Sequence, residues 1–147
     1  MAQAQKQVRI IEPLERFVNR INLVGCYARV SSDSEDQLNS YNNQVDFYES
    51  YVNSLENSKL VKIYTDEGIT GTRMDKRDGF LQMIEDCRKG LINRIITKSI
   101  SRFARNITET LSVVRELKSI GVSVYFMTEK IDTAKMGSEM MLAVYAA

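Results

Sequence analysis

The chain has 147 residues, of which 44% are apolar and 27% charged, with 20 basic against 19 acidic side chains and a single proline. That suits one globular domain with a proper core; no apolar run has bilayer-spanning length, and the first residues lack the apolar segment of a signal peptide. Histidine is absent, which excludes histidine triads, histidine general bases and histidine-containing metal sites.

Residues 1–22 read as an N-terminal arm or edge element, with Val8-Arg9-Ile10-Ile11 able to pair as a short strand before Pro13. The apolar run Leu23–Val30 predicts the first strand. Ser34-Glu35-Asp36-Gln37 is a capping-box pattern opening a helix whose inward stripe is Leu38, Tyr41, Val45, Tyr48 and Val52. Leu60–Thr65 predicts a second strand, followed by a loop with two glycines, Asp66–Thr72. A second helix spans about Asp78–Lys89, burying Phe80, Met83, Ile84 and Cys87, and Gly90 ends it.

Leu91–Thr97 predicts a third strand and Lys98–Arg105 a basic connection. Asn106-Ile107-Thr108-Glu109 opens a third helix with Leu111, Val114, Leu117 and Ile120 inside, closed by Gly121. Val122–Met127 is the fourth strand, and a further helix starts near Lys135 and is still running at Ala147. Its Met140, Met141 and Tyr145 are expected at an oligomer surface. The alternation predicts an α/β fold: a central, mostly parallel sheet of four to five strands flanked by helices, ending in the start of a long C-terminal helix. Cys26 and Cys87 lie in apolar patterns without ligand-like spacing and read as reduced core thiols of a cytoplasmic protein.

Charge is neutral overall but not locally. Residues 94–106 hold Arg94, Lys98, Arg102 and Arg105 and no acid, a local electrostatic footprint. In open parallel sheets ligands bind beyond the carboxyl ends of the strands. Those ends carry Arg29 and Ser31, then Asp66, then Lys98, Arg102 and Arg105. By strand alternation Tyr27, Arg29 and Ser31 share a face, and a helical turn would stack Arg102 on Arg105. Such an assembly suits a phosphodiester, because a placed nucleophile and positive charge around the phosphate oxygens are most of what phosphoryl transfer needs. Asp66 and Glu67 are adjacent and face opposite ways in extended chain, so no metal site and no cofactor is expected. The residues leave the general base open: Asp66, an arginine, or water.

Four stretches, in order, carry a family resemblance. Tyr27-Ala28-Arg29-Val30-Ser31 resembles the nucleophile motif of the serine recombinases, the resolvase, invertase and large serine integrase group. Gln44 matches that family's glutamine. Tyr64–Gly71, with Arg77 after it, is similar to its aspartate and glycine loop, and Lys98–Arg105 to its basic motif. Over residues 23–147 the resemblance implies a recombinase catalytic domain, cut off within its C-terminal helix and of the large transposon or phage type. It implies DNA cleavage by Ser31 through a covalent 5′-phosphoserine link, subunit rotation in a tetramer, and religation without metal or ATP. Arg29, Arg77, Arg102 and Arg105 would surround the scissile phosphate, with Gln44 and Asp66 in support and Lys98 and Tyr27 as further phosphate contacts. Homodimers or tetramers on DNA are the expected assemblies; a membrane is not an expected partner.

One position departs from the pattern: Ser101 stands where the family usually has an aspartate, so that acid's orienting role is either absent or supplied from elsewhere, with Asp66 and Glu67 the candidates. The departure keeps a second function open, an α/β module that holds a phosphate or nucleic-acid backbone without cutting it. Taken singly, Ser31 is a turn residue, Asp66 a loop cap, and Lys98, Arg102 and Arg105 a solvated connection; only together do they read as a site.

Overall fold

The computed structural model describes residues 20–31, 34–68 and 77–145, with the backbone alone at residues 31, 34–39 and 68. Ten elements follow in chain order: β1 (Asn22–Ser31), α1 (Ser34–Asn53), β2 (Ser58–Gly68), α2 (Asp78–Arg88), β3 (Arg94–Thr97), α3 (Ile100–Phe103), α4 (Ile107–Ser119), β4 (Ser123–Phe126), β5 (Ile131–Asp132) and α5 (Ser138–Tyr145). The sheet order is β2-β1-β3-β4-β5. The first four strands are parallel and β5 returns antiparallel to β4, so the expected mostly parallel α/β sheet is present.

Strand alternation divides the core. Val24, Cys26 and Ala28 of β1 pack with Ile96 against Tyr48 and Val52 of α1. On the other face Tyr27, Tyr64 and Ile95 meet Phe80 and Met83 of α2, Leu117 of α4 and Leu142 of α5. Edge-to-face contacts run from Tyr27 through Phe80 and Phe103 to Phe126, with ring centroids 5.4, 5.2 and 5.4 Å apart. Burial pushes both Cys26 and Cys87 thiols up to about 12, which keeps them protonated packing residues.

Several expectations shift. The α1 stripe is core only in its second half: Tyr48 and Val52 are buried but Tyr41 is exposed, because the first half of α1 lies beyond the sheet rather than over it. The Leu38 side chain and the Ser34–Gln37 capping box lie outside the described side chains. β2 runs on through Asp66, Glu67 and Gly68, residues expected in a loop, since β1 offers them partners to its end. β3 starts at Arg94, not Leu91: Gly90 turns with φ +76° and Leu91 remains exposed. α4 buries Val114 and Leu117 but leaves Ile120 exposed at its C-cap. The final helix begins at Ser138, after Gly137 turns at φ +79°. The possible strand at residues 8–11 and most of the glycine loop (residues 69–76) lie outside the described residues.

Candidate active site

β1 outlasts its pairing with β3. Tyr27 sits opposite Thr97, and Ala28–Ser31 continue alongside Thr65–Gly68 of β2. The flank this leaves, together with α1 and the start of the basic segment, forms a cleft of about 580 Å³ lined by Arg29, Ser40, Asn43, Gln44, Lys98 and Arg102. Gln44 fixes the strand end, its Nε2 donating to the Arg29 carbonyl at 3.1 Å and to Ser40 Oγ at 3.0 Å. The Tyr48 hydroxyl and Thr97 Oγ1 both donate to the Tyr27 carbonyl, at 3.1 and 3.2 Å. Backbone carbonyls that β3 no longer pairs are thus satisfied from α1 and from the last β3 residue.

Beneath the cleft lies a buried polar cluster. Asp66 Oδ1 accepts from Gly79 N at 2.7 Å, while Oδ2 accepts from Phe80 N at 2.9 Å and from the Tyr27 hydroxyl at 2.7 Å. The Asp66 side chain therefore caps α2 from the neighbouring strand, at the positive end of the helix dipole. Only a glycine fits at 79, because a Cβ there would run into the Thr65 carbonyl oxygen. Burial first, then the hydrogen bond to Asp66, pushes the Tyr27 phenol up to about 12. Arg77, 9% exposed, donates from Nη1 to Glu109 Oε1 at 3.1 Å and from Nη2 to the Phe103 carbonyl. Its guanidinium stacks 3.8 Å from the centre of the Phe80 ring.

The basic segment splits in two. α3 is four residues long, and Ala104 at its C-cap is already extended (φ −145°, ψ 159°). Arg102 therefore lines the cleft, whereas Arg105 lines a separate depression of about 420 Å³ with Ser101, Asn106, Glu129 and Tyr145. The expected stack of Arg102 on Arg105 is absent for this reason. Ser101 Oγ lies 3.1 Å from Ser99 Oγ. Acids meet this segment at both ends: Glu129 Oε1 accepts from Ile100 N at 2.8 Å, and Glu109 Oε2 accepts from Arg105 N at 3.3 Å.

Of the residues singled out from sequence, the fold brings Arg29, Gln44, Lys98 and Arg102 to one cleft. Asp66 and Arg77 are instead tied into the protein below it, and Tyr27 turns its ring into the core on the α2 side. Ser31 ends β1 at the same sheet edge; its side chain, and all of Ser32, lie outside the described residues. Sequence reading missed the Tyr48 hydroxyl as a donor to the β1 backbone, Asn43 as cleft wall, and Glu109 and Glu129 as partners of the arginine-bearing elements. Only Glu109 left a trace, as the fourth residue of a capping box; its backbone N–H does donate to Asn106 Oδ1, at 2.8 Å. Among the described residues no group of three or more acidic or cysteine side chains is placed to hold a metal ion, and no helix is long and apolar enough to cross a membrane.

A family model described as the resolvase N-terminal domain matches residues 24–147. The chain belongs to the resolvase family. Members of that family are site-specific DNA recombinases. The transposon Tn552 resolvase of Staphylococcus aureus is 30% identical over 129 residues, covering 82% of this chain and 55% of that protein; the chain spans about half the length of this curated relative. A resolvase family site-specific recombinase from Streptococcus pneumoniae superposes with a TM-score of 0.69 at 25% identity, over 85% of each chain. The N-terminal catalytic domain of TP901-1 integrase shares the fold, with a TM-score of 0.56 at 19% identity over 82% of this chain and 88% of that one.

Proposed function

We propose that this resolvase domain, residues 23–147, cuts and rejoins DNA at a specific site with Ser31 as nucleophile. The observation that carries the reading is the run of β1 past β3, which delivers residues 29–31 to an edge where Lys98 and Arg102 form the facing wall. In the step, Ser31 Oγ bonds to phosphorus, the bond from phosphorus to the 3′-oxygen breaks, and that oxygen leaves with a proton. A 5′-phosphoserine ester results. Its reversal by another strand's 3′-hydroxyl reforms a phosphodiester, so the number of ester bonds is conserved and neither ATP nor a metal enters the balance. Arg29, Lys98 and Arg102 face the charge that gathers on the phosphate oxygens.

Asp66 is a positioning residue on this reading. Both of its oxygens already accept core hydrogen bonds, and the Tyr27 phenol stays neutral, so the Ser31 proton passes to solvent in the cleft rather than to either. Arg77 holds α2 against α3, whose Arg102 reaches the phosphate, and Glu129 steadies the start of α3 in place of the acid missing at 101. The exposed Met140, Met141, Val144 and Tyr145 of α5 form the surface on which copies of the chain assemble into dimers and tetramers on DNA.

The separation of Arg105 from Arg102 favours a second reading, in which the domain grips a phosphate without cutting it. The two readings part on strand cleavage. Full-length protein incubated with DNA carrying its recombination site should yield a covalent protein–DNA adduct on denaturing gels, and Ser31→Ala should abolish it. Adduct from the alanine variant overturns the assignment; unmodified DNA with the wild-type protein, despite binding, selects the second reading.

A further inference from the structure

Beside the basic cleft lies a second hollow that the cleavage chemistry does not use. It measures about 400 Å³ and is lined by Phe47, Met127 and Thr128, together with Asn43, Gln44, Tyr48 and Lys98. Those last four residues also line the cleft, so the two hollows share one wall and form a continuous trough, cationic at the Arg29 and Arg102 end and apolar at the Phe47 end. Phe47 is 50% exposed yet held in place. Its ring stacks on Tyr51 with centroids 6.1 Å apart and planes 14° from parallel, and meets the Tyr48 ring edge-on at 5.6 Å. A solvent-facing ring fixed by two aromatic neighbours loses little side-chain freedom when something flat lies against it.

We infer that the apolar end of this trough is a nucleobase subsite. A nucleotide with its phosphate on Arg29, Lys98 and Arg102 lays its base against Phe47 and Met127, within reach of the Asn43 amide and the Thr128 hydroxyl. The inference rests on the cleft being a phosphodiester site and adds that it takes a base taken out of the helical stack. Charge complementarity identifies the occupant. An apolar segment of another protein would fill the Phe47 end but make no use of the Lys98 and Arg102 charges beside it, whereas a nucleotide supplies both a phosphate and a stacking face. A base paired inside a duplex has no free face to offer, so the subsite favours a locally unpaired strand at the cleavage point.

The test is an NMR titration of the 147-residue chain with three probes: dimethyl phosphate, which has the diester and no base, and the dinucleotides dTpT and dApdA. The dinucleotides should bind at least several-fold more tightly than dimethyl phosphate. The ring current of adenine should shift the Met127 methyl signal in the dApdA titration, with no such shift from dimethyl phosphate. Phe47→Ala should weaken dinucleotide binding about tenfold and leave dimethyl phosphate unaffected, with Phe47→Leu between them as a variant that keeps apolar volume on α1. Arg102→Ala should weaken all three probes. Equal affinity for all three probes, or a still Met127 methyl, overturns the base subsite while leaving the phosphate site standing. A change in self-association with Phe47→Ala and none in dinucleotide affinity also overturns it, in favour of a second copy as occupant. Failure of every probe to bind overturns the phosphate site itself, and the subsite with it.

Discussion

Two arginines, Arg77 and Arg102, show how differently one domain can use the same side chain. Arg77 is buried against Phe80, bonded to Glu109 and to the Phe103 carbonyl, and it joins α2, α3 and α4. Arg102 sits on the outer side of α3 facing an open cleft. A buried guanidinium is tolerated only when protein groups receive it, and removing it strands its partners. An exposed one costs the fold little and leaves its charge available to a ligand. The same contrast separates Asp66, with three core hydrogen bonds, from Lys98 at the cleft. On the proposed function, the lower layer holds the upper layer still and the upper layer meets the substrate.

The sharpest way to break this division is Asp66→Ala. It leaves two backbone N–H groups of α2 and the Tyr27 hydroxyl without their acceptor, and should cost about 3 kcal/mol or more in urea unfolding. Arg77→Ala strands Glu109 and the Phe103 carbonyl, and should cost about 2 kcal/mol in the same experiment. Tyr27→Phe removes one bond to a carboxylate, for about 1.5 kcal/mol. Its pH dependence has a definite sign. The folded phenol titrates near 12 against an ordinary value of 10, so its contribution is complete below pH 10 and is lost as pH rises from 10 to 12. Alkaline unfolding of the wild type and of Tyr27→Phe should therefore converge across that window. Arg102→Ala should change stability by less than about 0.5 kcal/mol while weakening phosphate binding about tenfold. An Arg102 variant as unstable as the Arg77 variant would erase the distinction between the layers.

Much of the architecture was legible because it rests on periodicity. The run Leu23–Val30 and the stripe Phe80, Met83, Ile84, Cys87 each bury the face their spacing marks. The strand-end rule likewise placed Arg29, Lys98 and Arg102 at one edge. Partner choice was not legible. Asp66 as cap or as site, and Arg77 as clamp or as phosphate ligand, read alike until the approach of α2 to β2 at Gly79 is known. Asp86 makes the same point. It sits on the buried face of α2 next to Cys87, and only the fold brings the Tyr64 hydroxyl to it at 2.5 Å, a bond that holds the carboxyl below its ordinary range. The split of Arg102 from Arg105 was equally hidden, because three-residue spacing means a shared face only while the helix lasts, and α3 stops at Phe103.

The central claim is that Ser31, at the end of β1, is the atom donor that joins protein to DNA. It is tested most directly by digesting the trapped protein–DNA adduct with protease and nuclease and locating the nucleotide remnant by mass spectrometry. The expected remnant is a nucleotide linked through its 5′-phosphate to the peptide containing Ser31, with fragmentation placing it on that residue. A remnant on Ser32, Ser99 or Ser101, or one linked through a 3′-phosphate, would contradict it.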